Sequence, residues 1–178
     1  MSIRLYIGCM FSGKTTELLR EYTRWKNINK NVIMINYIND DRYGQDDFVY
    51  SHDKNKVPCI RLKNLSEAPI ELLEKNDVIL INEGQFFPDL IEFCKLWCDV
   101  YKKNIVVCGL DGDHLRIPFV EISSLISIAD EVIKLQAFCK KCNDGTRAIF
   151  TKRLSEEKER IVIGSDKYIP VCRKHYLE

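Results

Sequence analysis

The stretch GCMFSGKT, residues 8–15, constrains this chain more than any other. It fits G-x-x-x-x-G-K-[ST] and falls between an apolar run, IRLYI, and a segment with helical spacing. The two glycines let backbone N–H groups turn inward around phosphate oxygens. The lysine brings positive charge to the β- and γ-phosphates, and the threonine hydroxyl suits Mg²⁺. The start of the following helix adds its dipole. Gly8, Cys9, Met10, Phe11, Ser12, Gly13, Lys14 and Thr15 are therefore a candidate cradle for a nucleotide triphosphate. A plain Gly-rich turn is the simpler reading, but the strand-to-helix context favours phosphate.

The surrounding pattern agrees with an α/β fold. Residues 3–7, 31–37, 57–62, 77–82 and 104–110 are short apolar runs that read as strands. Helices are expected over 14–28, over 65–75 after a Ser66 cap and confined by Pro69, and from Pro88 to Tyr101. Alternation of this kind implies a parallel sheet with helices on both faces. Residues 38–56 are polar and lack a period, so they read as a long loop. The character changes after about residue 136. This divides the chain into 1–136, the nucleotide-binding domain, and 137–178, a small appendage in which RAIFTKRL and ERIVIG read as two short strands.

That appendage carries two ligand pairs, Cys139-x-x-Cys142 and Cys172-x-x-His175. Each pair can grip one side of a tetrahedral ion, so the four predict a closed, structural Cys₃His zinc site of ribbon type. A redox CxxC would not need the second pair. Of the other cysteines, Cys94 and Cys98 sit four apart on an expected helix and read as core.

A phosphate-loop enzyme needs a carboxylate at the end of another buried strand, to manage Mg²⁺ or a proton. VILINEGQFF offers Glu83, beside an Asn82 that adds no charge where an acid is more usual. A lone Glu at a strand end is more often simply solvated. The aromatics that follow mark a pocket instead.

The formal net charge of +1 gives no pull toward nucleic acid or an anionic membrane. No apolar run reaches the roughly 18 residues of a membrane span. Eight cysteines, with no room for a signal peptide ahead of Gly8, point to a reducing, cytoplasmic setting.

The segments CMFSGKTTELL, DDRY…SHDKN, NEGQFFPD, LDG…R.PF, C..C, TKRL and DKY…VCRKHY, in that order, resemble the zinc-containing, cytosolic-type (type II) thymidine kinase family over nearly the whole chain. The resemblance implies a RecA-like domain, a zinc domain with a lasso loop, and transfer of the ATP γ-phosphoryl group to the 5′-hydroxyl of deoxythymidine. It also implies Mg²⁺ with ATP, a homotetramer, and feedback inhibition by thymidine triphosphate. Glu83 falls on the family's general base and Arg116 on a residue that steadies the phosphoryl group in transit. Asp40, Asp41, Arg42, Asn82 and Gln85 join the phosphate and metal side. Met10, Phe86, Leu110, His114, Phe119, Thr151 and Tyr168 would form the nucleoside pocket, with lasso residues Ile161, Val162, Ile163 and Gly164. Three departures stand out: Asn82 for an acid, His114 where the family commonly has Phe, and a slightly short lasso. The alternatives are a kinase that also accepts deoxyuridine, since a single methyl in an apolar pocket discriminates by only about 1–3 kcal/mol, and a phosphate-loop ATPase or nucleic-acid module. Near-neutral charge disfavours the last.

Overall fold

A computed structural model describes residues 1–40, 47–50, 55–155, 157, 162, 164 and 166–178. Asp41, Arg42, Ile161 and Ile163 lie outside these. The strands are β1 (Ser2–Gly8), β2 (Val32–Tyr37), β3 (Phe48–Tyr50), β4 (Lys56–Pro58), β5 (Ile60–Leu62), β6 (Val78–Ile81), β7 (Asn104–Gly109), β8 (Glu131–Leu135), β9 (Ala137–Phe138), β10 (Arg147–Ala148), β11 (Phe150–Arg153) and β12 (Tyr168–Val171). The α-helices are α1 (Lys14–Asn27), α2 (Ile70–Lys75), α3 (Leu90–Lys95), α4 (Val120–Leu125) and α5 (Arg173–Leu177).

Six strands form one parallel sheet in the order β5-β2-β6-β7-β1-β8. Apolar residues alternate between its two faces, as a period of two requires. Ile3, Leu5, Ile7, Ile35, Ile81 and Val107 meet Leu73, Leu90, Phe93, Trp97, Ile122 and Leu125 from the α2, α3 and α4 side. Tyr6, Met34, Leu80 and Val106 meet Leu18 and Leu19 of α1, and Val49 and Val57 of an antiparallel β3–β4 hairpin. Each fully buried aliphatic side chain stabilises this sandwich by about 1.5–3 kcal/mol.

Several expectations need correction. The long loop over 38–56 contains half of that hairpin, because three-residue strands are too short to show a period. The run 57–62 breaks at Cys59 into β4 and β5. Ser66 caps nothing. Its N–H and that of Leu65 donate to the Asp89 carboxylate, at 2.8 and 3.0 Å, across a 3₁₀ turn. Pro69 starts α2, a position where its missing N–H is no loss. The helix from Pro88 becomes α3 and then a π-helical turn, Leu96–Val100, which stacks Trp97 on Tyr101 at 4.4 Å. The edge strand β8 was not foreseen, and α4 was also missed. In the appendage, β11 pairs with β12. The described residues of the expected strand over 159–164 are Val162 and Gly164, and neither lies in a strand.

Because the sheet is parallel, its carboxyl ends share one edge, where open α/β sheets bind ligands. The phosphate loop follows β1, Asp40 follows β2, Asn82 and Glu83 follow β6, Leu110 follows β7, and the Cys₃His appendage follows β8. No helix among the described residues is long and apolar enough to cross a membrane.

Candidate active site

The phosphate loop has the backbone that its glycines allow. Gly8 has φ 146 and Gly13 φ 88, and Phe11 takes the same left-handed region at φ 64. At Gly8 space also forbids a side chain: a Cβ would lie 2.4 Å from the Leu135 carbonyl oxygen. Lys14 is buried, and its ammonium spans the loop to donate to the Cys9 carbonyl at 2.7 Å. The Ser12 hydroxyl is buried with no hydrogen-bond partner among the described residues. A buried donor without a partner inside a ring of amides suits an anion's oxygen. The loop therefore fits a phosphate on its own geometry.

The carboxyl end of β6 closes on this loop. Thr15 Oγ1 donates to Asn82 Oδ1 at 3.4 Å, and the Cys108 thiol donates to the same oxygen at 3.1 Å. Asn82 Nδ2 donates to Asn36 Oδ1 at 2.9 Å, and Asn36 Nδ2 to Asp40 Oδ2 at 3.2 Å. A chain of buried amides thus links the loop hydroxyl to the Asp40 carboxylate. Asn36 was not singled out in the sequence. A polar residue near the end of a buried apolar strand was the only signal it offered.

Glu83 is buried and takes the left-handed region, at φ 55, ψ 42. Non-glycine residues there mark tight, over-determined turns. The turn is tight because Gly84 abuts Val107: a Cβ would lie 2.6 Å from Val107 Cγ1. Gln85 Nε2 donates to Glu83 Oε2 at 2.6 Å, while Gln85 Oε1 accepts from the Leu110 N–H at 3.0 Å. Gln85 therefore links the acid to the residue that follows β7.

Phe86 stacks obliquely on Tyr37 at 5.0 Å and meets Phe119 edge-on at 6.2 Å. Across the site, Thr151 on β11 accepts from the Met10 N–H at 3.0 Å, which joins the appendage to the phosphate loop. Tyr168 accepts from Arg153 at 2.7 Å and donates to the Val162 carbonyl at 3.0 Å. Gly164 has φ 142. Arg116 has φ 64, and its guanidinium lies over the rings of Tyr176, at 4.5 Å, and Phe150, at 5.6 Å. Phe150 and Thr151 are neighbours on a strand and so face opposite sides of it. Arg116 therefore lies against the face of β11 that turns away from Met10.

Cys139, Cys142, Cys172 and His175 place their donor atoms within 4.8 Å of one another. The sulfurs of Cys139, Cys142 and Cys172 lie 3.5, 3.3 and 3.5 Å from His175 Nδ1, and Cys142 and Cys172 lie 3.8 Å apart. Bonds of about 2.3 Å to sulfur and 2.0 Å to nitrogen give edges of this length around a tetrahedral ion. Burial opposes ionisation of Cys139, but amide hydrogen bonds at Cys172, Cys142 and Lys141, with one from His175, outweigh it and draw the thiol down to about 6. Burial pushes Cys142 up to about 11, helped by Cys139 and Cys172. A cation among the sulfurs would remove that penalty. Burial also raises the Cys9 thiol, against the pull of Lys14, as expected of an inert packing residue.

A model of the thymidine kinase family matches residues 1–176. The chain belongs to the thymidine kinase family. The thymidine kinase of Vaccinia virus (strain Western Reserve) is 42% identical over 177 residues, which cover 99% of this chain and 97% of the relative. That of Variola virus (isolate Human/India/Ind3/1967) shows the same identity and coverage. The thymidine kinase of Oryza sativa subsp. japonica is 44% identical over 182 residues, 99% of this chain and 66% of the plant protein. The span matched to the family takes in the phosphate loop, the Asn82–Glu83 corner and the Cys₃His cluster alike.

Proposed function

We propose that the protein transfers the γ-phosphoryl group of ATP to the 5′-hydroxyl of deoxythymidine, giving thymidine monophosphate and ADP. The observation that carries this is the β6 corner: Asn82 meets Thr15 of the phosphate loop, and the next residue is a buried carboxylate. Family membership supplies the acceptor.

The loop amides, Ser12 and Lys14 would hold the β- and γ-phosphates, and the α1 dipole adds to their attraction. Glu83 accepts the proton of the 5′-hydroxyl as that oxygen bonds to the γ-phosphorus. The bond from the γ-phosphorus to the β,γ-bridging oxygen breaks, and the electron pair leaves with ADP. Gln85 Nε2 donates to Glu83 Oε2 and so orients the carboxylate that would meet the acceptor. Such transfer depends on positioning and electrostatics more than on covalent help from the protein. Mg²⁺, when bound with ATP, neutralises charge on the phosphates. Thr15 would hold it, with Asn82 and Asp40 acting on its waters.

Phe86, Leu110 and Phe119 offer apolar and aromatic walls for a flat, methylated base. Met10, Thr151 and Tyr168 close the pocket from the loop and appendage sides. The lasso, in which both backbone groups of Val162 bond to the Tyr168 hydroxyl, would supply the backbone readout of the base edge. The Cys₃His site would bind zinc in a structural role. None of the eight cysteines is in a disulfide, which fits a cytoplasmic setting. The same reading carries a homotetramer and inhibition by thymidine triphosphate, checked by light scattering and by adding the triphosphate to the assay.

The test is a screen of deoxynucleoside acceptors with labelled ATP. Strict dependence of ADP release on thymidine, with weaker use of deoxyuridine, is the expected result. ADP release without any nucleoside would sink the reading.

A further inference from the structure

Between β7 and α4 the chain makes an excursion, residues 111–119, held at its start by the Asp111–Lys134 ion pair at 2.8 Å and at its end by the buried Phe119. It is tied within itself: Asp113 Oδ1 accepts from the Leu115 and Ile117 N–H groups at 2.9 and 2.8 Å, and Gly112 bridges Pro118. Its larger aliphatic side chains do not hold it down, because Leu115 and Ile117 are 57% and 47% exposed. Segments with little apolar burial open easily. Yet the excursion carries His114 and Phe119, and it starts beside Leu110.

One residue outside it supplies two contacts. The Tyr176 hydroxyl donates to the His114 carbonyl at 2.8 Å, and the Tyr176 ring lies 4.5 Å from the Arg116 guanidinium. The ring is itself braced by Phe150, 5.1 Å away. Tyr176 sits on α5, and its N–H donates to the Cys172 carbonyl at 3.0 Å. It follows His175 in the chain. Both neighbours belong to the Cys₃His cluster, so the short helix has a fixed base.

We infer that Tyr176 is a positioning residue: by gripping the His114 carbonyl and the Arg116 guanidinium it sets the 111–119 excursion, and with it one wall of the acceptor pocket. The assignment of that wall rests on the proposed function; the grip on the excursion does not. Tyr176 acts from behind. It packs with Phe150, on the face of β11 opposite Thr151 and the phosphate loop. Its loss should therefore move acceptor binding and spare ATP binding.

The experiment uses the full chain with its metal retained, checked by elemental analysis. In Tyr176→Phe the ring stays and only the hydroxyl goes. Losing one such hydrogen bond should raise the KM for thymidine about three- to tenfold. Amide hydrogen exchange over 111–119 should speed up by a similar factor, with kcat and the KM for ATP within about twofold of wild type. Tyr176→Leu, which also removes the ring from Arg116, should enlarge both effects. A purely structural role would lower melting temperature and metal content and shift kcat and both KM values together. That result, or unchanged exchange over 111–119 in Tyr176→Phe, overturns the inference. If wild-type protein fails to phosphorylate thymidine, the proposed function falls, and the exchange measurement still decides the role of Tyr176. If Tyr176→Leu fails to fold, Tyr176→Phe decides alone.

Discussion

Replacing Asn82 with aspartate should strengthen Mg²⁺ binding while weakening the protein without nucleotide. Asn82 is only 1% exposed, so every contact it makes counts. Its oxygen can go on accepting from Thr15 and Cys108 when it becomes part of a carboxylate. Its amide nitrogen, however, donates to Asn36 Oδ1 at 2.9 Å, and Asn82→Asp turns that contact into two facing oxygens. Asn36 can rotate its amide in response. Its nitrogen then leaves the Asp40 carboxylate, 3.2 Å away, and an oxygen takes its place. Either way one buried polar contact becomes repulsive, at a cost of about 1–3 kcal/mol. At roughly 2–4 °C per kcal/mol for a chain of this size, the melting temperature should fall by several degrees. With Mg-ATP the sign reverses. A unit charge beside a divalent ion, at an effective dielectric near 20, would attract it by several kcal/mol. Desolvation offsets much of this. A net gain of about 1.4 kcal/mol would lower the half-saturating free Mg²⁺ about tenfold. The assay is a coupled measurement of ADP release against free Mg²⁺, at saturating ATP and thymidine, beside thermal melts with and without nucleotide. A folded variant whose Mg²⁺ titration overlays the wild type refutes the reasoning.

Other outcomes follow from the same geometry. Glu83→Gln should cut turnover by at least about a hundredfold, the lower range for a general base, with ATP binding by equilibrium dialysis unchanged; near-normal turnover in folded protein contradicts the assigned base. Gln85→Leu takes one hydrogen bond from the buried Glu83 carboxylate and one from the Leu110 N–H, so urea denaturation should show a loss of about 1–3 kcal/mol, together with a lower kcat. Gly8→Ala would push a methyl to 2.4 Å from the Leu135 oxygen at a φ that disfavours it; loss of ATP binding, or of soluble protein, is expected. Cys139→Ser should reduce zinc from about one per chain to near none and lower the melting temperature, while wild-type protein that carries no zinc when purified would contradict the metal assignment.

The parts of the site that come from short local patterns were readable in advance. The phosphate loop needs two glycines, a lysine and a threonine at fixed spacing, and the metal cluster needs paired ligands. The continuous apolar runs of β1, β2, β6 and β7 disclosed a sheet covered on both faces. What stayed hidden depends on contacts between distant segments. Asn36 matters only because β2 lies beside β6. Tyr176 matters because α5 reaches residues 114 and 116, some sixty positions earlier. The half-exposed edge strand β8 has no strong apolar run, and the β3–β4 hairpin is too short for a period to emerge. The rings of Phe150 and Tyr176 beside Arg116 likewise come together only in the fold.

Cys9 ties the two ends of the chain together. Its side chain belongs to the apolar cluster of Ala137, Cys139, Ala148, Val171 and Cys172, with its thiol toward the Ala148 carbonyl at 3.5 Å, while its own carbonyl receives the Lys14 ammonium. Shortening the chain at residue 136 would therefore not yield a tidy ATP-binding fragment. It would bare the Cys9 side chain, now only 2% exposed, to water and loosen the loop segment whose carbonyl holds the lysine.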